Sequence, residues 1–144
     1  MKVIIPARGG SKRIPRKNIR NFLGVPIIER VIRMVVSNSY IDEVIVSTED
    51  KAISDHCKSL GVTVQKRSIG NSTDTATTDD VIREVLDKLP RLKKHDLALI
   101  YPTAVLLTNK IISEMYEKFL ELSKNCLEMS KKFLESSKTF LRNL

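Results

Sequence analysis

The chain has 144 residues, 42% of them hydrophobic, which suffices for one domain, alone or with an appendage. Its net charge of +8 lies entirely in residues 1–34, which hold nine Lys or Arg and one Glu, whereas residues 35–144 are neutral overall. This distribution disfavours a general nucleic-acid surface, whose cations cover a wider face, and favours one site for a small, highly charged anion.

The chain begins with a predicted strand over Lys2–Ile5, followed by a basic loop. The loop places five cations around the Gly9-Gly10 turn and the Ser11 hydroxyl, namely Arg8, Lys12, Arg13, Arg16 and Lys17. Glycine lets backbone N–H groups approach an anion, and the planar guanidinium of Arg matches phosphate. The loop therefore predicts a polyphosphate site, and a solvated surface loop is the alternative. The loop lacks the third glycine of a dinucleotide fingerprint and the Gly-Lys-Ser/Thr ending of a P-loop.

Helix and strand signals alternate after this loop. Helical spacing predicts helices that begin near Pro26, Glu49 and Thr78 and end near Val36, Leu60 and Leu89, with strands between them at 42–48, 62–65 and 97–101. This alternation indicates an α/β fold, a Rossmann-like three-layer α/β/α architecture with a mostly parallel sheet. Ligands of such sheets bind beyond the carboxyl ends of the strands. We therefore expect the site in the loops 6–20, 47–50, 67–78 and 101–108.

Two acidic residues follow the cap of the third predicted helix. Thr77 or Thr78 is a suitable N-cap, and Asp79 and Asp80 then fall in the first turn, where the helix dipole favours negative charge. We interpret both carboxylates as helix-start residues in preference to metal ligands.

The C-terminal part predicts a further helix that begins after Thr108 and ends near residue 124 or at the end of the chain. Its apolar residues include a heptad row, Phe119, Cys126, Phe133 and Phe140. This row favours packing against the chain's own domain and pairing with a second copy about equally, and a disordered end is a third possibility.

The cysteines and the hydropathy bear on the cell compartment. Cys57 and Cys126 have no metal-ligand spacing, and no apolar run approaches the roughly twenty residues of a membrane helix. We therefore expect a reduced, cytoplasmic protein with no membrane partner.

Four segments together resemble the cytidylyltransferases that activate acidic nine-carbon sugars, the sialic acid and, more closely, the pseudaminic acid enzymes. They are I-I-P-A-R-G-G-S-K-R-I-P-R-K-N-I at 4–19, D-E-V-I-V-S-T-E-D at 42–50, Arg67 with D-T-A-T-T up to Thr78, and I-Y-P-T-A at 100–104. The likeness covers residues 1–125, which we therefore expect to form a nucleotide-binding domain of the nucleotide-diphospho-sugar transferase type. Residues 126–144 form a helical tail that does not match, and Val105 and Leu106 also depart from the family pattern.

The resemblance implies a reaction in which CTP and an acidic sugar, pseudaminic or sialic acid, give a CMP-sugar and pyrophosphate. It implies catalytic roles on the triphosphate for Arg8, Lys12 and Lys17. It implies a wider nucleotide site formed by Ala7, Arg8, Gly9, Gly10, Ser11, Lys12, Lys17, Asn18, Arg67, Ala76, Thr78 and Tyr101. It also implies a Mg²⁺ cofactor, but the acidic pair that holds the metal in the family is not recognisable in this sequence, so we assign no metal ligands and expect impaired turnover.

Other interpretations remain open. The chain is also consistent with a module that binds CTP without turnover. It is equally consistent with a protein that self-associates through its C-terminal helix, for example as a homodimer. Tyr101 suits simple packing as well as base recognition. A nucleic-acid binder is the last alternative, since few aromatic residues accompany the basic loop.

Overall fold

A parallel four-stranded sheet forms the centre of the fold. The computed structural model describes the backbone of residues 1–11 and 14–142 and the side chains of residues 1–11 and 14–132. In that part of the chain the sheet has the order β5-β4-β1-β6, formed by β1 (Lys2–Pro6), β4 (Glu43–Thr48), β5 (Thr63–Lys66) and β6 (Leu97–Leu99). Every pairing in it is parallel, and Ile4 of β1 lies opposite Ile45 of β4 and Leu99 of β6. The predicted parallel sheet is therefore confirmed.

Three helices connect these strands: α1 (Ile27–Val36), α2 (Lys51–Ser59) and α3 (Thr78–Lys88). The connections through α1 and α2 move outward across the sheet, from β1 to β4 and then to β5, whereas the connection through α3 returns to β6 on the other side of β1. Because such crossovers are right-handed, the reversal places α3 on the face opposite α1 and α2. This arrangement is the predicted three-layer architecture.

Both faces of the sheet are buried, because its strands are apolar at successive positions. Ile4 and Ile45 pack with Val85 of α3 and with Leu92, and each is at most 1% exposed. Alternate strand residues point to the other face, where Val3, Ile5, Val44 and Val46 are also buried. On α1 the buried residues Ile28, Val31, Ile32 and Val35 have the helical spacing that the sequence predicts.

Several element boundaries differ from those predicted. A short antiparallel hairpin, β2 (Asn21–Phe22) with β3 (Val25–Pro26), precedes α1, and its turn places Leu23 and Gly24 at positive φ. Pro26 is consequently the N-cap of α1 and not its first helical residue. The second helix begins at Lys51 because Asp50 caps it, its side chain accepting the Ile53 N–H at 2.9 Å.

The C-terminal helix is present as α4 (Asn109–Arg142), the longer of the two predicted extents. The chain divides into two compact units, Met1–Asn109 and Lys110–Leu144. The functional boundary at 125/126 remains a prediction, and the side chains of Phe133 and Phe140 lie outside the described residues. None of the helices in the described ranges is long and apolar enough to cross a membrane.

Candidate functional site

A cavity of about 700 Å³ opens at the carboxyl edge of the sheet, the edge predicted to carry the site. Its lining comes from the basic loop after β1, the segment between β5 and α3, and the residues after β6. The connection from β1 to β4 and the connection from β5 to β6 run in opposite directions across the sheet, so the order reverses between β1 and β6, and open α/β sheets bind ligands at such a switch point. The volume lies within the range of roughly 300–1,000 Å³ that small-molecule sites occupy.

Asn18 joins the end of the basic loop to its beginning. Its side chain is 5% exposed, and its Nδ2 donates to the carbonyl oxygen of Arg8 at 2.8 Å. The loop enters the 3-10 turn Lys17–Ile19 through Arg16, whose φ of 52° is left-handed. Arg8, Ser11, Lys17 and Asn18 all line the cavity. Lys12, predicted to be catalytic, lies outside the described residues.

Gly9 is held against the carboxyl end of β4. Its N–H donates to Oε1 of Glu49 at 2.7 Å. A Cβ at position 9 would lie 2.5 Å from Oδ2 of Asp50 and 2.8 Å from its Cβ, so a larger residue cannot occupy this position without a shift. At Gly10, by contrast, a Cβ would meet nothing within 4 Å. Because the Ser11 N–H donates to the Gly9 carbonyl at 2.9 Å, Gly10 is the open end of the turn.

Arg8 reaches across the cavity to the segment after β5. Its Nη1 donates to Oδ1 of Asp74 at 2.6 Å and to the carbonyl oxygen of Thr73 at 3.2 Å. The side chains of Arg8 and Asp74 are 34% and 39% exposed, so solvent screens the pair. A carboxylate thus meets the guanidinium that the resemblance assigns to the triphosphate.

Arg67 lies at the end of β5 and is the buried cation of the site, with 5% of its surface exposed. Its Nε donates to the hydroxyl of Ser47 at 3.2 Å, and its Nη2 donates to the Ser47 carbonyl at 2.7 Å. Burial lowers the pKa of Arg67 below its usual value, and the nearby charges of Glu49 and Glu84 oppose this shift. The group still carries its charge at neutral pH. Nη1 has no hydrogen-bond partner among the described residues, so it is available to a ligand.

Glu84 of α3 holds the loop that follows Arg67. Its carboxylate accepts the backbone N–H of Ser68 at 2.7 Å, the Ser68 hydroxyl at 2.8 Å and Nδ2 of Asn71 at 2.6 Å, and it pairs with Lys88. Burial by itself raises the pKa of Glu84, but the hydrogen bonds from Lys88, Asn71 and Ser68 outweigh it and lower the pKa to about 2. Glu84 is therefore ionised at neutral pH.

The remaining wall is formed where α3 begins. Thr78 Oγ1 and the hydroxyl of Tyr101 lie 2.9 Å apart, and Tyr101 is half exposed. Thr77 and Asp80 form a reciprocal capping box, in which hydrogen bonds from Thr77 lower the pKa of Asp80. This geometry confirms the helix-start interpretation of Asp80.

The structure brings most of the predicted site residues together. Eight of them line the cavity: Arg8, Ser11, Lys17, Asn18, Arg67, Ala76, Thr78 and Tyr101. Ala7 is fully buried and donates its N–H to the Ser47 carbonyl, which extends the strand pairing beyond β1. Gly9 and Gly10 shape the loop beside the cavity. Their roles toward a ligand remain predictions.

Sequence reasoning missed Asn71 and Asp74 as lining residues and Glu49 and Glu84 as supports of the site. Asp74 and Glu49 lie inside the segments that carry the family resemblance, and both fall in loops that the sequence places at the carboxyl edge of the sheet. That position was a signal that could have identified them. Glu84 carries no such signal, because its spacing is that of an ordinary helix residue.

The carboxylates near the cavity do not form a magnesium site by themselves. No group of three or more metal-ligating side chains occurs within residues 1–11 and 14–132. Asp74 pairs with Arg8, Asp50 caps α2, and Glu49 accepts the Gly9 N–H. The described residues therefore do not fit a protein-only cage, and we derive no chemical step through the metal.

Comparison with solved structures agrees with the fold. Among solved structures, a CMP:2-keto-3-deoxy-manno-octonic acid synthetase complexed with CTP matches with a TM-score of 0.70 at 21% identity, covering 83% of this chain and 46% of the other. A cytidylyltransferase from Leptospira borgpetersenii matches with a TM-score of 0.62 at 23% identity, covering 83% and 48%. At these identities the two matches support the fold alone.

Sequence relatives specify the family. A pseudaminic acid cytidylyltransferase from Campylobacter jejuni is 38% identical over 122 residues, covering 82% of this chain and 52% of the relative. A CMP-N,N'-diacetyllegionaminic acid synthase from Legionella pneumophila is 38% identical over 107 residues, covering 70% and 45%. The chain thus spans about half the length of these relatives. Residues 2–142 match the family described as Cytidylyltransferase, which includes most of the tail predicted not to match. The chain therefore belongs to the cytidylyltransferase family.

Proposed function

We propose that the cavity binds CTP and that the chain provides the nucleotide-binding half of an enzyme that transfers CMP to an acidic nine-carbon sugar, of the pseudaminic or sialic acid type. The observation that carries the proposal is the convergence of Arg8, Lys17 and Arg67 on one cavity at the switch point of the sheet. Family membership and the names of the relatives favour CTP and an acidic sugar over other nucleotides and acceptors.

In the proposed reaction the anomeric oxygen of the sugar attacks the α-phosphorus of CTP. A bond forms between that oxygen and the α-phosphorus, the proton of the anomeric hydroxyl is released to solvent, the bond from the α-phosphorus to the bridging oxygen of the β-phosphate breaks, and pyrophosphate leaves. Such a transfer depends on positioning and on neutralisation of the phosphate charges.

The residues of the basic loop supply that neutralisation in this scheme. Arg8, Lys12 and Lys17 hold the triphosphate. The Gly10 N–H and the Ser11 hydroxyl donate to phosphate oxygens, since the Ser11 N–H is already bonded to the Gly9 carbonyl. Asn18 fixes the shape of the loop.

Three further proposals extend this one. Magnesium is the cofactor that the family resemblance implies, and we assign it no step. A homodimer through α4 is favoured by Phe119, Leu122 and Met129, which have heptad spacing and are about half or more exposed. A reducing, cytoplasmic compartment is favoured by the free thiols of Cys57 and Cys126.

Nucleotide binding tests the proposal directly. We expect thermal unfolding of the full chain to shift upward with CTP and to shift much less with ATP and GTP. Equal shifts with all three nucleotides would refute the pyrimidine assignment, and no shift would refute nucleotide binding. Pyrophosphate release in the presence of CTP, magnesium and an acidic nine-carbon sugar then separates turnover from binding alone.

A further inference from the structure

The loop between Arg67 and Thr73 lines the cavity but has little apolar packing of its own. Its one large hydrophobic side chain, Ile69, is 86% exposed. The loop includes the 3-10 turn Gly70–Ser72, which Ser72 closes through hydrogen bonds to Ile69 and Ser68. Polar contacts must therefore hold the loop in place, and several of them are hydrogen bonds to the carboxylate of Glu84.

Glu84 fixes which end of the Asn71 amide faces the ligand. An ionised carboxylate accepts hydrogen bonds and donates none, so the atom 2.6 Å from its Oε2 must be Nδ2 of Asn71. Nδ2 also lies 3.4 Å from the carbonyl oxygen of Asp80, a second acceptor. The other end of the amide, Oδ1, has no hydrogen-bond partner among the described residues and is not sealed in the interior. Asn71 thus brings an oriented acceptor to a cavity that also contains the cations Arg8, Lys17 and Arg67.

An acceptor in this place distinguishes the two pyrimidine bases. Cytosine carries an exocyclic amine at C4, which donates, whereas uracil carries a carbonyl oxygen there, which only accepts. The Asn71 Oδ1 accepts from the amine of cytosine and is left facing another acceptor when uracil binds. Buried groups that lose their partner in this way give strong discrimination.

We propose that Asn71 is a specificity residue that reads the exocyclic amine of cytosine, and that Glu84 is the positioning residue that orients it. The inference rests on the proposed binding of CTP and adds how this site rejects UTP. Arg67, on the same wall, offers only donors and suits the C2 carbonyl oxygen, an acceptor that both bases share.

The test measures the dissociation constants of CTP, UTP and inorganic tripolyphosphate for the full chain, well below its unfolding temperature. For the unsubstituted chain we expect CTP to bind at least about tenfold more tightly than UTP, the scale of one lost hydrogen bond. In Glu84→Gln the new side chain can donate to Asn71 and release the amide. We expect the CTP/UTP ratio to fall to about threefold or less, while tripolyphosphate affinity stays within about twofold.

Lys88→Gln is the matched control. It removes the ion-pair partner of Glu84 on the same helix and leaves the Asn71 contact intact, so the base ratio should be unchanged. If Glu84→Gln does not fold, Asn71→Ala on the loop must lower the ratio in the same way.

These measurements separate failure of base selection from failure of nucleotide binding. No CTP binding by the unsubstituted chain overturns the proposed function and this inference together. Equal affinity for CTP and UTP, or a ratio that Glu84→Gln and Asn71→Ala both leave intact, overturns the inference while nucleotide binding stands. A ratio that falls equally in Lys88→Gln also overturns it, because helix stability would then be the cause.

Discussion

Replacing Arg8 by Ala should weaken CTP binding far more than it weakens the fold. A charge-assisted hydrogen bond contributes about 1.5–3 kcal/mol, so we expect the dissociation constant for CTP to rise by about 10- to 150-fold. Arg8 is hydrogen-bonded to Asp74, and the two side chains are 34% and 39% exposed. A pair with this exposure stabilises the fold by at most about 1 kcal/mol. The loss of affinity is therefore separable from any loss of stability.

Isothermal titration with CTP measures this effect, and thermal unfolding without ligand measures the cost to the fold. We expect the unfolding temperature to fall by no more than about 3–4 °C, the scale of 1 kcal/mol for a domain of this size. Arg33→Ala is the matched control: it removes one exposed guanidinium, also paired with a carboxylate, from α1. Unchanged CTP affinity in Arg8→Ala would remove Arg8 from the site. An equal loss in Arg33→Ala would mean that net charge alone attracts the nucleotide.

Replacing Asp74, the carboxylate that pairs with Arg8, should change the CTP affinity in the opposite direction. Asp74 pairs with the guanidinium proposed to hold the triphosphate, and it adds a negative charge to the cavity wall. Asp74→Asn should therefore tighten CTP binding, by up to about fivefold if the released energy is the roughly 1 kcal/mol of a partly exposed pair. Weaker binding in Asp74→Asn would show that the carboxylate positions Arg8 and does not compete for it.

Three other predictions address the loop, the pH dependence and the tail. Gly9→Ala, whose Cβ would lie 2.5 Å from Asp50, should cost about 1–3 kcal/mol of stability and most of the CTP affinity in titration. Gly10→Ala, whose Cβ would meet nothing within 4 Å, should leave stability nearly unchanged. Equal effects of the two substitutions would refute the close-packing argument. Because the pKa of Glu84 is lowered from 4.5 to about 2, its contribution is fully present above pH 4.5 and is lost as the pH falls toward 2. Urea unfolding between pH 5 and pH 2 should therefore show a loss of at most about 3 kcal/mol that Glu84→Gln lacks, and parallel pH profiles would contradict the shift. If α4 pairs with a second copy, sedimentation should show a dimer for the unsubstituted chain and a monomer for Leu122→Glu. The same mass for the unsubstituted and the substituted chain would refute that pairing.

The arrangement of helices and strands follows from local signals that the sequence carries openly. Apolar residues at helical spacing predict α1, and continuous apolar runs predict β1 and β4, because these elements bury the same residues that define their pattern. The hairpin before α1 was not predicted. Its strands have two residues each, too few for an alternating pattern. Its turn places Leu23 in the left-handed region, which leucine rarely adopts, so the sequence gives no signal for it.

The residues of the candidate site likewise fall into those that the sequence predicts and those that only the fold reveals. Residues proposed to bind by charge from a glycine-rich loop, such as Arg8 and Lys17, can be predicted from composition and position, and both line the cavity. Residues that act through another side chain cannot, because their role depends on which helix crosses the sheet and at what register. Glu84 illustrates the limit: sixteen residues separate it from Ser68, and only the return of α3 across β5 places its carboxylate under that loop. A sequence pattern therefore identifies the groups proposed to meet the phosphates, whereas the groups proposed to select the base emerge only when the fold brings α3 against the loop after Arg67.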